Sequence, residues 1–173
     1  MVAEYDKALE NGDIGAFRGR VHLQNVGFER MSQSGITHGA LRFLRTGYYA
    51  SSIAGCSFRE GQSLALYVFK STGITFSQNV VYKTKRNAVV LRGGEALKIE
   101  ENLLIANERR AFDETRGLRD FQVAVDVCSG ELESTCTKVV VKKNIIAGAI
   151  GVGFLAPAAD CAAEGEGSGN EFS

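Results

Sequence analysis

Residues 74–107 read "ITFSQNVVYKTKRNAVVLRGGEALKIEENLLIAN", and within them "ITFSQNVVY" (74–82) and "LKIEENLLI" (97–105) are one phrase written twice. Each runs apolar, polar, apolar, two polar residues, Asn, then three mostly apolar residues, with Asn79 and Asn102 as the fixed point. A third copy, "KVVVKKNIIAG", surrounds Asn144, and shorter forms surround Asn25 in "RVHLQNVGF" and Gly55 in "SSIAGCSF". The anchors stand at 25, 55, 79, 102 and 144, with gaps of 30, 24, 23 and 42. The two similar gaps set a unit, and the other two are that unit plus insertions.

Alternation of apolar and polar residues is the period of a strand, not of a helix. A second apolar pair sits ten and twelve residues past the anchor, Ala65 and Tyr67 after Gly55, Val89 and Leu91 after Asn79. Each unit thus supplies about three short strands, and no segment between them has a convincing amphipathic helix. Such units cannot bury a face alone and must stack. The expected fold is all-β, a right-handed parallel β-helix of about 5–6 coils of roughly 23 residues, with a disulfide-closed loop insertion.

An Asn at the same turn of successive coils can hydrogen-bond to the Asn above and below it, and Asn tolerates left-handed backbone. Asn25, Asn79, Asn102 and Asn144 are therefore read as an internal amide ladder, with Gly55 in the Asn place of its coil, rather than as a row of ligand-binding amides. The same register puts Val26, Cys56, Val80, Leu103 and Ile145 on one inward column, which makes Cys56 a buried small hydrophobe and not a nucleophile.

The chain has 173 residues, a formal net charge of zero, twenty glycines and one proline, Pro157. Scarce proline suits a chain of paired strands, with glycine making the turns. No long block of one charge points to nucleic acid or an anionic membrane, and no apolar run is long enough to span a bilayer. Of Cys56, Cys128, Cys136 and Cys161, the expected pair is Cys128 with Cys136, because "CSGELESTC" is a short polar loop whose ends can meet.

Along the chain, 1–18 is read as a lead-in, 19–157 as coils with an irregular insertion at 108–137, and 158–173 as a glycine-rich acidic loop or linker continuing in a longer protein. The insertion amounts to about one coil's worth of residues, part of it another coil with "FQVAVDV" as a strand. No cofactor, metal site or catalytic residue is expected. Asp113, Asp120 and Asp126 lie in the irregular insertion, without a second carboxylate cluster at the repeat spacing for acid–base or metal chemistry. His22 alternates with Val21 and Leu23 and should face outward; His38 is isolated. Lys83, Lys85 and Arg86, in "YKTKR", form a basic turn that could meet a sulfated or carboxylated glycan.

Three phrases, "FRGRVHLQNVGFERMSQSG" (17–35), "SSIAGCSFREGQSLALYVFKSTGITFSQNVVYKTKRNAVVLRGG" (51–94) and "NIIAGAIGVGF" (144–154) followed by a Cys, resemble the β-helical region of the fibrocystin (polyductin) family in order and spacing. That family shares its fold with cell-surface hyaluronan-degrading proteins that carry an eight-glycine domain. The resemblance covers roughly residues 17 to 161. It implies a piece of a large extracellular or ciliary-surface protein, in which the β-helix is a rigid stalk or binding module. Its partners would be other segments of the same protein, a protein partner or a glycan. The hyaluronan-degrading relatives carry histidines near "GALRFLRTG" (39–47) and in the following coils. Here Arg42, Leu44, Phe58, Val68 and Asn87 fill those places, so the resemblance carries over no catalytic residue and implies a non-catalytic structural or adhesive module. A polysaccharide-binding or polysaccharide-degrading β-helix is the second reading.

Overall fold

The computed structural model describes residues 2–4, 20–32, 39–47, 49–106, 123–128, 135–149, 151–156 and 171–173. Among them the secondary structure is strand only, and each strand pairs in parallel with its equivalent one coil away. Before the regular coils come β1 (Val2–Glu4), β2 (His22–Gln24), β3 (Gly27–Glu29) and β4 (Leu41–Leu44). The next coil holds β5 (Ser51–Ala54), β6 (Ser57–Arg59) and β7 (Leu66–Thr72), and the one after it β8 (Ile74–Ser77), β9 (Val80–Tyr82) and β10 (Val89–Glu95). Then follow β11 (Lys98–Glu100), β12 (Leu103–Ile105), β13 (Val123–Val127) and β14 (Cys136–Thr137). The last are β15 (Val140–Lys142), β16 (Ile145–Ala147), β17 (Val152–Leu155) and β18 (Glu171–Phe172).

These strands stack into three sheets, in the orders β1-β4-β7-β10-β13-β17, β18-β15-β11-β8-β5-β2 and β16-β12-β9-β6-β3, with β14 joining the first beside β10. The expected all-β parallel β-helix is borne out. Ser52 pairs with Thr75 and Thr75 with Lys98, so the regular unit steps by 23 residues. Residues 158–173, read as loop or linker, include β18, which adds to the edge of the second sheet beside β15. The lead-in contains β1, beside β4.

The core is a set of inward columns. Leu23, Ile53, Phe76, Ile99 and Val141 stack along the second sheet, and Phe28, Phe58, Val81, Leu104 and Ile146 along the third. The Phe28 and Phe58 rings lie parallel, 4.7 Å between centroids, and Phe76 tilts against Phe58 at 5.6 Å. The first sheet is different because both of its faces are covered. Leu66 and Val89 point into the coil, while Tyr67 and Val90 on the opposite face are also buried and pack with Leu44 and Leu64 in a separate apolar cluster. This is why "LALYVF", "AVVL" and "VAVDV" are nearly continuous apolar runs while strands of the other sheets alternate.

The 42-residue step between Asn102 and Asn144 does not contain an extra coil. β13 pairs directly with β10, Val89 beside Val125, so "VAVDV" belongs to the regular coil. Tyr82 to Val89 spans seven residues, whereas the paired Ile105 to Val125 spans twenty, an excess of thirteen. Downstream, Leu91 to Gly94 spans three residues and the paired Val127 to Cys136 spans nine, an excess of six. Two excursions at opposite ends of one strand therefore account for the whole difference between 42 and 23.

The second excursion is closed by the Cys128–Cys136 disulfide, with Cα atoms 6.2 Å apart, as expected from the polar loop between them. It rejoins β13 to β14, which together match the single long β10. The sequence separation is 8, so reduction should lower stability by about 2–3 kcal/mol through loop entropy. Both cysteines lie in one coil, so the parallel sheets remain. Urea unfolding with and without reductant measures the first effect, and an unchanged far-UV circular dichroism spectrum of the reduced chain checks the second.

Candidate functional site: the asparagine column and the outer face of the third sheet

Asn79, Asn102 and Asn144 share one column at the corner between the second and third sheets. The Asn79 backbone N–H and Nδ2 donate to Asn102 Oδ1 at 2.9 and 3.1 Å, and the same two groups of Asn102 donate to Asn144 Oδ1 at 3.0 and 2.9 Å. Each amide also donates inward, Asn79 to the Ile53 carbonyl, Asn102 to that of Phe76 and Asn144 to that of Ile99, at 3.0, 2.9 and 2.7 Å. The column ends where the Cys56 N–H donates to Asn79 Oδ1 at 2.8 Å. These amides are consumed within the coil and have no free face for a ligand.

Asn25 is not in this column, and Gly55 is not the Asn equivalent. Ser57 pairs with Val80 and Gly27 with Ser57, which puts Cys56 and Val26 in the Asn place and aligns Asn25 with Gly55, Gln78, Glu101 and Lys143. That neighbouring column carries the left-handed backbone, with φ of 55°, 61°, 55°, 56° and 53° in order. The turn conformation and the amide ladder thus fall on adjacent positions, not on one. The expected inward column also faces the other way: Val80 and Ile145 are 37% and 64% exposed on the outer face, whereas Val81 and Leu104 are buried. The one-residue shift at Gly55 replaces Ala65 and Tyr67 by Leu66 and Val68 as the partners of Val89 and Leu91. Cys56 keeps its expected character, a buried free thiol.

The basic turn lies at the corner that follows β9. Lys83 takes the left-handed corner after β9, its N–H donating to the Ile105 carbonyl and its ammonium 5.3 Å from the centroid of the Tyr82 ring. Lys85 is tied by its N–H to the Gly61 carbonyl, and Thr84 between them is buried, its hydroxyl donating to the Arg86 carbonyl. All three basic side chains are half-buried. His22 faces outward, its Nδ1 2.7 Å from Ser52 Oγ. Asp126 is buried on the outer side of the first sheet, 2.8 Å from the Arg92 guanidinium. Asp113, Asp120, His38 and Cys161 lie outside the described residues. Among the described residues no group of three or more His, Cys, Asp or Glu could hold a metal ion, and no helix is long and apolar enough to cross a membrane.

One concavity stands out on the third sheet. Glu29 on β3, Arg59 on β6 and Tyr82 on β9 occupy successive places in a single outward column. With Val80, two residues before Tyr82 on the same face, and Glu60 at the corner, they line a cavity of about 320 Å³. Reading the sequence missed these residues. A signal existed, since 29, 59 and 82 are related by the 30- and 23-residue steps, but it becomes visible only in the corrected register.

Over 177 aligned residues the chain is 24% identical to fibrocystin-L of Mus musculus, the match taking in 93% of this chain and 4% of that protein. The chain is similar to fibrocystin-L over most of its own length. The resemblance carried by the three sequence phrases is borne out at this level of identity, and the chain corresponds to a small fraction of a much larger relative. No protein-family model and no solved structure matches it. In this coil, Phe58 and Val68 are core side chains and Leu44 belongs to the apolar cluster outside the first sheet. Arg42 alternates between buried Leu41 and Phe43, and Asn87 is half-buried before β10. These positions are divided between the coil interior and its outside, so they do not converge on one chemical centre.

Proposed function

We propose that this chain is a non-catalytic β-helix module of a large fibrocystin-like protein, serving as a rigid structural or adhesive segment at the extracellular or ciliary surface. The observation that carries the reading is the continuity of three parallel sheets with the asparagine column, which ties the coils of Cys56, Asn79, Asn102 and Asn144 together by both main-chain and side-chain hydrogen bonds. A stack of this kind resists bending and presents side chains at a fixed spacing of ~4.8 Å. The Cys128–Cys136 bond supports an oxidising location, where disulfides persist, and the similarity to fibrocystin-L supports a place within a longer protein.

The test is to incubate the folded, oxidised chain with hyaluronan and with pectic polysaccharides, with and without calcium, and to follow polymer length by gel filtration. Intact polymer is the expected result; shortened chains would overturn the non-catalytic reading. Antibody labelling of unpermeabilised cells that make the full-length protein tests the location. Labelling is expected at the surface, and signal confined to permeabilised cells refutes that part.

A further inference from the structure

We propose that the concavity on the outer face of the third sheet is a binding site for a neutral oligosaccharide. Its floor is apolar, with Val80 and Tyr82 pointing outward from one strand and each 37% exposed. A pyranose offers a matching apolar face of C–H groups, which packs on the flat face of an aromatic ring and leaves its hydroxyls at the edges. The edges of this concavity are polar in both senses. Glu29 and Glu60 present acceptors, and Arg59, between Glu29 and Tyr82 in the column, presents a planar fork of donors. Vicinal hydroxyls are donors and acceptors at once and satisfy both.

Charge decides which saccharide fits. The two carboxylates repel sulfate and carboxylate groups, while Arg59 and the neighbouring Arg30, which holds Glu60 at 3.2 Å, offset them, so the site has no strong field of either sign. The Lys83 ammonium, 5.3 Å from the centroid of the Tyr82 ring, repels a ligand cation from that ring. An extended peptide is a poor fit for a different reason. The concavity lies on the face of the sheet, between β6 and β9, which are paired on both edges and present side chains there rather than main-chain groups. Beyond the concavity the same face continues along the axis through Leu103 and Ile145, which gives an oligosaccharide an apolar track beside Val80. The stiffness of the coil does not depend on this site, and each proposal stands or falls separately.

The experiment is saturation-transfer NMR and calorimetry of the oxidised chain with cellohexaose, mannohexaose, xylohexaose and chitohexaose, and with a heparin hexasaccharide and a lysine-rich peptide as contrasts. At least one neutral hexasaccharide is expected to bind. Tyr82→Ala and Tyr82→Leu should each weaken it by about tenfold or more, and Arg59→Met by a similar factor. The leucine variant keeps an apolar side chain on the strand and guards against a loss that reflects misfolding, which thermal unfolding of each variant also monitors. Lys85→Ala should leave the affinity unchanged. Failure of all four neutral ligands overturns the proposal, as does binding that survives Tyr82→Leu. Binding of heparin alone, lost when Lys83, Lys85 and Arg86 are neutralised, would transfer the site to the basic turn, and binding of the peptide alone would make it a cation site.

Discussion

Asn102→Ala lowers the unfolding free energy by about 3 kcal/mol, because the buried Asn79 N–H loses its acceptor and the Phe76 carbonyl loses the Asn102 amide as a donor. The amide-to-amide bonds on either side, to Asn79 and to Asn144, go with them. Alanine cannot replace an acceptor on one side and a donor on the other, and the interior column leaves little room for water to do so. Asn25→Ala is the internal comparison. Asn25 is exposed and lies in the left-handed corner column, so its loss should cost only the backbone preference of Asn over Ala, about 1 kcal/mol or less. Urea unfolding of the two variants separates the readings: equal losses would put Asn25 back in the ladder and make the corrected register wrong.

Gly94→Ala is expected to be at least as damaging, by about 3 kcal/mol or more, through backbone strain and overlap. Gly94 has φ of 143°, and a Cβ there would stand 2.2 Å from the Ser71 carbonyl oxygen, a main-chain atom held in the paired β7. On its other side Gly94 donates its N–H to the Thr135 carbonyl, next to the disulfide. Relief requires moving β7 and β10 apart, which disturbs the longest strand pairing among the described residues. Gly27→Ala is the control, since a Cβ there meets nothing closer than Ser57 Oγ at 3.6 Å. Thermal unfolding should show a large loss for the first and a change within about 0.5 kcal/mol for the second.

Repetition made the fold readable. "ITFSQNVVY" and "LKIEENLLI" pair residue for residue, Phe76 beside Ile99 and Val81 beside Leu104. The error of one residue in the coil before them arose because Gly55 looks like a turn residue and Asn is one too, so Gly was matched to Asn. The corner column accepts Asn25, Gly55, Gln78, Glu101 and Lys143, side chains with nothing in common except the backbone angle they adopt. A conformational requirement of that kind leaves almost no trace in residue type. Apolar residues on the outside, Val80 and Ile145, added to the ambiguity by imitating a core column. The concavity was invisible for the same reason: Glu29, Arg59 and Tyr82 become neighbours only when the coils are counted correctly. The disulfide could be seen early because its partners are close in sequence.

The placement of that disulfide has a mechanical consequence. Cys128 and Cys136 both belong to the same turn of the solenoid, so their covalent bond fastens no coil to its neighbour. When the molecule is pulled along its axis, tension falls on the hydrogen bonds between coils, and nothing covalent shares it except the chain itself. A regular 23-residue turn that peels away lengthens the chain by roughly 8 nm, while the disulfide-closed segment stays hidden as slack. A tethered surface protein containing such modules would yield under load in discrete steps and recover its length when released, with the oxidised loop limiting how far one of those steps extends.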